Sequence, residues 1–207
     1  PQGTDFGYFG GGDGPSGNVS TVDRVDYSND TATASPKGPL GAAEPQAAAT
    51  SSSSFGYFAT SVNPRKSTIQ RIDYSNDTAT AAAKGPLTSA RRYQAGTGNA
   101  SFGYFGAGDG PSADLTSVDR IDYSNDTATA SPKGPLTLAR QLLAATGNQN
   151  FGYFGGGENK SIVERIDYTS DTGTASPKGP LSTNTKVLSA TGNSDFGYFG
   201  GGGTPSA

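Results

Sequence analysis

The chain has 207 residues, 32% of them hydrophobic, with 31 Gly and 13 Pro, a stock too poor in aliphatic side chains for a conventional two-layer core. It contains neither Cys nor His, which excludes disulfides and the Ser–His and Cys–His nucleophile systems. The net charge of −3 comes without a basic stripe, and no run approaches the roughly 18 apolar residues of a spanning helix, so phosphate-mediated nucleic-acid binding and a membrane span are not expected.

Order rather than disorder is expected, because the 10 Phe and 10 Tyr recur at fixed places. The first element is Phe6-Gly7-Tyr8-Phe9, which returns at Phe55, Phe102, Phe151 and Phe196, at intervals of 49, 47, 49 and 45 residues. A short aromatic run bounded by glycines reads as a buried strand, and its internal Gly implies close approach of a neighbour. All ten Phe fall in these five copies, so they are expected to form the packed centre. Next comes Val22–Tyr27, a second strand built on Arg24-Val25-Asp26-Tyr27 and repeated at Arg71, Arg120 and Arg165 with Ile for Val. Ser28-Asn29-Asp30 reads as a turn. Thr31-Ala32-Thr33-Ala34, repeated from Thr78, Thr127 and Thr172, is expected to return as its hairpin partner. Lys37-Gly38-Pro39-Leu40, repeated at Lys84, Lys133 and Lys178, breaks the pattern and leads into a last strand such as Leu142–Thr146. Helix signals are weak, amounting to one turn over Leu138–Leu143.

Four short strands in about 47 residues is the size of a propeller blade, whereas solenoid coils run to about 20–30 residues. The expectation is an all-β single repeat domain over 1–207, a β-propeller with four-stranded blades near 1–48, 49–95, 96–144 and 145–190 and a partial blade at 191–207. Five aromatic strands against four Arg-Ile-Asp-Tyr strands suggest a segment of a longer array of about 6–8 blades, with a four-bladed ring or closure by oligomerisation as alternatives.

These residues resemble the kelch repeat. Gly10-Gly11, Gly155-Gly156 and Gly200-Gly201 follow the aromatic strand as the kelch glycine pair would, and Arg-Ile-Asp-Tyr-Ser-Asn-Asp-Thr stands where the kelch strand enters its turn. Leu136–Arg140 is similar to the segment leading into the following strand. The chain departs from the kelch pattern in placing Val25 or Ile, and Ala32 or Gly173, where Tyr and Trp usually flank the turn. It departs again with Ala59-Thr60 and Gly106-Ala107 at the glycine pair. The near-verbatim Asp-Tyr-Ser-Asn-Asp-Thr-Ala-Thr-Ala-Ser blocks also resemble tail-fibre-like virion proteins of cyanophages. The resemblance implies a rigid repeat module at a virion or extracellular surface. It does not imply copper-oxidase chemistry, which in kelch-fold enzymes needs His and Cys ligands.

The recurrent charges have a structural and a functional reading. Arg24, Arg71, Arg120 and Arg165 could ring a channel and take an acidic glycan, or each could pair with an Asp of its own or the adjacent blade. Asp26, Asp73, Asp122 and Asp167 recur identically in every repeat, which suits turn caps better than a glycosidase pair, whose two carboxyls need unlike environments. Asp13-Gly14, Asp109-Gly110 and the Asn29-Asp30 turns offer oxygen ligands for calcium, but at no known calcium-loop spacing; no cofactor is expected. Gly10-Gly11-Gly12 reads as a turn, since no helix follows it as in a phosphate cradle. Variable polar loops follow the glycine pair, over 13–20, 61–67, 109–116 and 158–161, and precede the aromatic strand, over 50–54, 99–101, 148–150 and 193–195. The candidate ligand-binding residues are Asp13, Ser16, Asn18, Asn63, Arg65, Asp109, Ser112, Asp114, Glu158, Asn159 and Lys160. The expected function is a non-enzymatic module adhering to a glycan or protein receptor or to other surface proteins. The alternative is an architectural repeat that assembles into a fibre or larger homo-oligomer.

Overall fold

The computed structural model describes residues 1–61 and 64–204. It is all-β and built from consecutive antiparallel meanders. The first sheet joins β1 (Phe6–Gly10), β4 (Val22–Asp26) and β5 (Ser35–Lys37), with a small hairpin of β2 (Asp13–Gly14) and β3 (Gly17–Asn18) in the loop between. The second holds β6 (Gln46–Ser51), β7 (Phe55–Ser61), β8 (Ile69–Asp73) and β9 (Ala82–Lys84). The third holds β10 (Ala95–Gly98), β11 (Phe102–Gly106), β12 (Val118–Asp122) and β13 (Ser131–Lys133). The fourth holds β14 (Ala144–Gly147), β15 (Phe151–Gly155), β16 (Val163–Asp167) and β17 (Ser176–Lys178), and β18 (Ser189–Gly192) pairs with β19 (Gly197–Gly200) in a fifth.

Register explains why both sheet faces carry buried apolar residues. Tyr57 lies opposite Arg71 and Ala59 opposite Ile69, while the alternate residues Gly56 and Phe58 face Ile72 and Gln70. Successive strand residues point to opposite faces, so each sheet presents a Tyr face to its successor and a Gly/Phe face to its predecessor. The hydrophobic clusters accordingly lie between sheets. Tyr8, Val22 and Leu40 pack on Phe58, Ile72 and Ala81; Tyr57, Ile69 and Leu87 pack on Phe105, Ile121 and Ala130; Tyr104, Val118 and Leu136 pack on Phe154, Ile166 and Ala175. A fully buried Phe or Ile contributes about 1.5–3 kcal/mol, and here nearly all of it depends on the neighbouring sheet, as in repeat arrays generally.

The first strands β6, β10, β14 and β18 run side by side and, with β1, line a cleft of about 860 Å³. Their Ala, Gly and Thr residues answer to that closeness: a Cβ on Gly96 would stand 2.6 Å from the Ala49 carbonyl oxygen. No closed ring of sheets forms among the described residues.

Several expectations need correction. Thr31–Ala34 is turn and connector, and the strand paired with β4 is Ser35–Lys37, with Arg24 opposite Ser35 and Val22 opposite Lys37. Its Pro36 is tolerated because β5 is an edge strand. The small-residue strand opens the following sheet rather than closing its own, since Ala144 pairs with Gly155 and Thr146 with Tyr153. The sheets therefore span 6–37, 46–84, 95–133, 144–178 and 189–200, and boundaries at 49, 96, 145 and 191 cut through first strands. Leu138–Leu143 is not helical; the helical residues described are single 3-10 turns at Tyr74–Asn76 and Tyr123–Asn125. The Phe rings do not share one centre. Phe58, Phe105 and Phe154 are buried between sheets, whereas Phe6, Phe55, Phe102 and Phe151 are half-buried beneath guanidinium groups 4.0–4.2 Å from their ring centres.

Candidate functional site

The recurrent charges meet at three equivalent junctions. Asp77 of the second sheet accepts hydrogen bonds from Tyr8 Oη at 3.1 Å and Arg24 Nη1 at 2.8 Å, with Lys37 Nζ at 3.6 Å, all from the first sheet. Asp126 receives Tyr57, Arg71 and Lys84 at 3.0, 2.7 and 3.2 Å. Asp171 receives Tyr104, Arg120 and Lys133 at 2.9, 2.8 and 3.3 Å. Each Asp backbone carbonyl also accepts the amide of the glycine in Lys-Gly-Pro-Leu at 2.8 Å. The fit explains that glycine: a Cβ on Gly85 would sit 1.8 Å from the Ala128 oxygen. Above the Asp, Tyr74, Tyr123 and Tyr168 stack on Tyr8, Tyr57 and Tyr104 at 4.6–4.9 Å.

Three of the four ladder arginines, Arg24, Arg71 and Arg120, thus pair across sheets. Arg165 covers Phe151 and has no ion-pair partner among the described residues. Asp26, Asp73, Asp122 and Asp167 do something else. Each carboxylate accepts the backbone amide and hydroxyl of the Ser or Thr two residues on, at 2.6–2.9 Å. Those hydrogen bonds hold all four carboxyls below the ordinary range.

Buried charges that composition and motif did not single out lie deeper. Arg91 and Arg140 are both fully buried. Arg91 donates to Asp119 at 2.9 Å and to the Ala107 and Ser117 carbonyls; Arg140 donates to Glu164 and to the Gly156 and Phe154 carbonyls. The same acids accept the backbone amides of Thr88 and Thr137. In the first junction Glu44 stands in place of the arginine and Gln70 in place of the acid. Gln70 still accepts the equivalent amide, that of Gly41, and Lys66 Nζ neutralises Glu44 at 2.7 Å. The sequence signal was Ala-Arg shortly after Lys-Gly-Pro-Leu, matched by an acid two residues before Ile121 and Ile166.

A meander alternates its loops between two ends, so the two variable loop sets lie at opposite ends of the sheets and do not form one surface. At the end reached by the glycine pair, three repeats converge. Asp109 binds Arg65 through both oxygens at 2.8 Å and Arg92 Nε at 2.6 Å. Burial raises the Asp109 carboxyl, but the two arginines outweigh it and hold it below the usual range. Beside it Asp114 accepts from Gln141 Nε2 at 3.1 Å. Burial, then the hydrogen bond and charge of Asp114, push the neighbouring Glu158 carboxyl up. Glu158 and Asn159 hold φ of +48° and +59°, the left-handed region, where backbone strain collects at functional segments. Lys160 and Ser112 are exposed next to them. Asp13, Ser16 and Asn18 are exposed on the first sheet's hairpin, outside the Arg65–Asp109–Glu158 group, and Asn63 lies outside the described residues. Tyr93, Leu142 and Val187, which line a separate groove of about 330 Å³, take φ of +57° to +60° and are linked by Leu142 N–H to Tyr93 O at 3.0 Å and Val187 N–H to Leu142 O at 2.9 Å.

Among the described residues no three acidic side chains gather as a metal site, and both Asp109 oxygens are taken by arginine. No helix among the described residues is long and apolar enough to cross a membrane. No protein-family model matches the chain, and no curated protein matches it.

Proposed function

We propose that the chain is a non-catalytic, propeller-like display scaffold, kelch-like in its blades, that presents the Arg65–Asp109–Glu158 end to a polar ligand, a glycan or a protein receptor, at a virion or cell surface. The observation that carries this is the division of labour among charges. Arg24, Arg71 and Arg120, which repeat from sheet to sheet, are consumed inside the three junctions by Asp77, Asp126 and Asp171, while Arg65, Arg92, Asp109 and Asp114, which differ between repeats, come together on one end. Loops held by a rigid scaffold are where binding residues concentrate. The side-by-side small-residue first strands around one cleft support the radial, propeller-like arrangement.

A glycan array and a cell-binding assay with the purified chain provide the test. Saturable binding is expected, falling at least tenfold in Arg65→Ala and in Lys160→Ala/Glu158→Gln while Asp13→Ala leaves it unchanged. No binding across a broad panel, or binding indifferent to these changes, overturns the reading.

A further inference from the structure

The three junctions are filled by one eight-residue turn. Tyr74–Ala81 and Tyr123–Ala130 share the sequence Tyr-Ser-Asn-Asp-Thr-Ala-Thr-Ala, and the third copy is Tyr168–Ala175. Its receptor is equally constant: a Tyr, an Arg and a Lys on the preceding sheet, with the glycine of Lys-Gly-Pro-Leu giving the turn room. The chain carries a fourth receptor and a fourth turn, and neither has its counterpart among the described residues. On the fourth sheet Tyr153, Arg165 and Lys178 meet no aspartate among the described residues, a Cβ on Gly179 would meet nothing within 4 Å, and the Arg165 Nε is buried without a partner. A groove of about 300 Å³ lies there between Tyr153, Lys178 and Leu181 of the fourth sheet and Asp195, Phe196 and Phe199 of the fifth. On the first sheet Tyr27–Ala34 repeats the eight residues without change, with Tyr27 45% exposed and Asp30 exposed and unpaired; Phe9, whose counterparts Phe58, Phe105 and Phe154 are buried against the preceding sheet, is 68% exposed.

We propose that these two faces are one interface: the first sheet of a second copy of this chain docks on the fourth sheet, with its Asp30 between Tyr153, Arg165 and Lys178 and its Tyr27 stacked on Tyr153. Charge complementarity identifies the occupant, because the vacant receptor is cationic and the free turn is the same anionic turn the molecule seats three times. β19 stands partly in the way and is the strand exchanged. Phe196–Gly202 and Phe6–Gly12 are the same seven residues, so β1 of the incoming copy takes over the pairing of β18, with Tyr8 opposite Thr191 in place of Tyr198. Phe9 takes the place of Phe199 against Gly155. The contact is head-to-tail, so each docking leaves one free turn and one free receptor, and assembly continues into a filament or closes as a ring.

The chain lacks Cys, which makes the contact directly testable. The single variants Asp30→Cys and Lys178→Cys are mixed and oxidised, and a disulfide-linked heterodimer is expected on a non-reducing gel, at least tenfold more abundant than either homodimer. Sedimentation of the unsubstituted chain should show concentration-dependent association, weakened about tenfold or more by Asp30→Asn through loss of charge-assisted hydrogen bonds. A chain that stays monomeric at every concentration overturns the proposal, as does random cross-linking. A double variant that links only within one molecule overturns it too, since that outcome is closure of the chain on itself.

Discussion

The first junction and the third differ at one buried place, and the difference shows what the others hide. In the third, Arg140 meets Glu164 with both side chains fully buried. In the first, the arginine is replaced by Glu44, equally buried, and the facing acid by Gln70. A buried carboxylate beside a second carboxylate would be left uncompensated at a cost of several kcal/mol, so the reversal of sign at one residue goes with neutralisation of the other. What the position needs is an oxygen acceptor for a backbone amide (that of Gly41 or Thr137) and a net charge near zero. The sign of the charge is negotiable; the acceptor is not.

The strongest way to break this equivalence is to remove an arginine. Arg140→Met leaves Glu164 charged, dry and without its cation, and should lower stability by about 3–5 kcal/mol in urea unfolding. Adding Glu164→Gln to Arg140→Met copies the neutral acceptor of the first junction and should recover most of the loss. If the double variant is no more stable than the single one, the equivalence fails. Arg91→Met should behave alike, since Asp119 is as buried and burial already pulls the Arg91 guanidinium down against the pull of Asp119.

The reverse experiment sharpens the comparison. Gln70→Glu adds a second buried carboxylate to the junction that holds Glu44, whose Oε2 is already buried without a partner, and should cost about 2–3 kcal/mol. Changing Glu44→Arg in the same chain rebuilds the third junction's pair and should return stability to within about 1 kcal/mol. The invariant aspartates rank next. Asp126→Asn keeps the shape but loses the charge that holds Arg71 and Lys84, both partly exposed, and about 1–2 kcal/mol is expected. The loss should appear as separation of the sheets before and after the junction in hydrogen exchange.

The aromatic strands and the Arg-Ile-Asp-Tyr strands were legible because their residues have strong β preference and strict spacing. Thr31–Ala34 misled for the same reason: Thr favours strands, but successive turns closed by Asn29 N–H to Asp26 O and Ala32 N–H to Asn29 O carry the chain past Thr31, and pairing resumes only at Ser35. Ala95–Gly98 is extended because it pairs with β11, and its residues are small because β6 and β14 run close beside it, tertiary causes that local preference does not carry. At the candidate site, Arg65, Asp109, Asp114 and Glu158 could be picked out as variable and polar, but that Arg92 and Gln141 would join them depends on connectors whose path the sequence does not mark. Arg91 and Arg140 were not singled out, because their Ala-Arg motif recurs in only two repeats and its pairing with Asp119 and Glu164 follows only once the connector is seen to fold back on the sheet.

The smallest expected effects lie in the carboxyls whose pKa values move in opposite directions, and acid titration separates them by sign. Asp26, Asp73, Asp122 and Asp167 are depressed by the Ser or Thr hydrogen bonds of their own turns. Their contribution is therefore complete above the ordinary carboxylate value of about 3.9 and is lost as pH falls through the lower folded value. Glu158 is raised, by burial and by Asp114, so folding favours its protonation relative to the unfolded chain, a contribution complete below the ordinary value and lost as pH rises through the folded one. Glu158→Gln should flatten the second limb and leave the first intact; Ser75→Ala with Ser124→Ala should weaken only the first. Urea midpoints collected from neutral to strongly acid pH would show both, and a Glu158→Gln variant that altered the strongly acid limb alone would mean that Asp114 and Glu158 do not face each other across the two repeats.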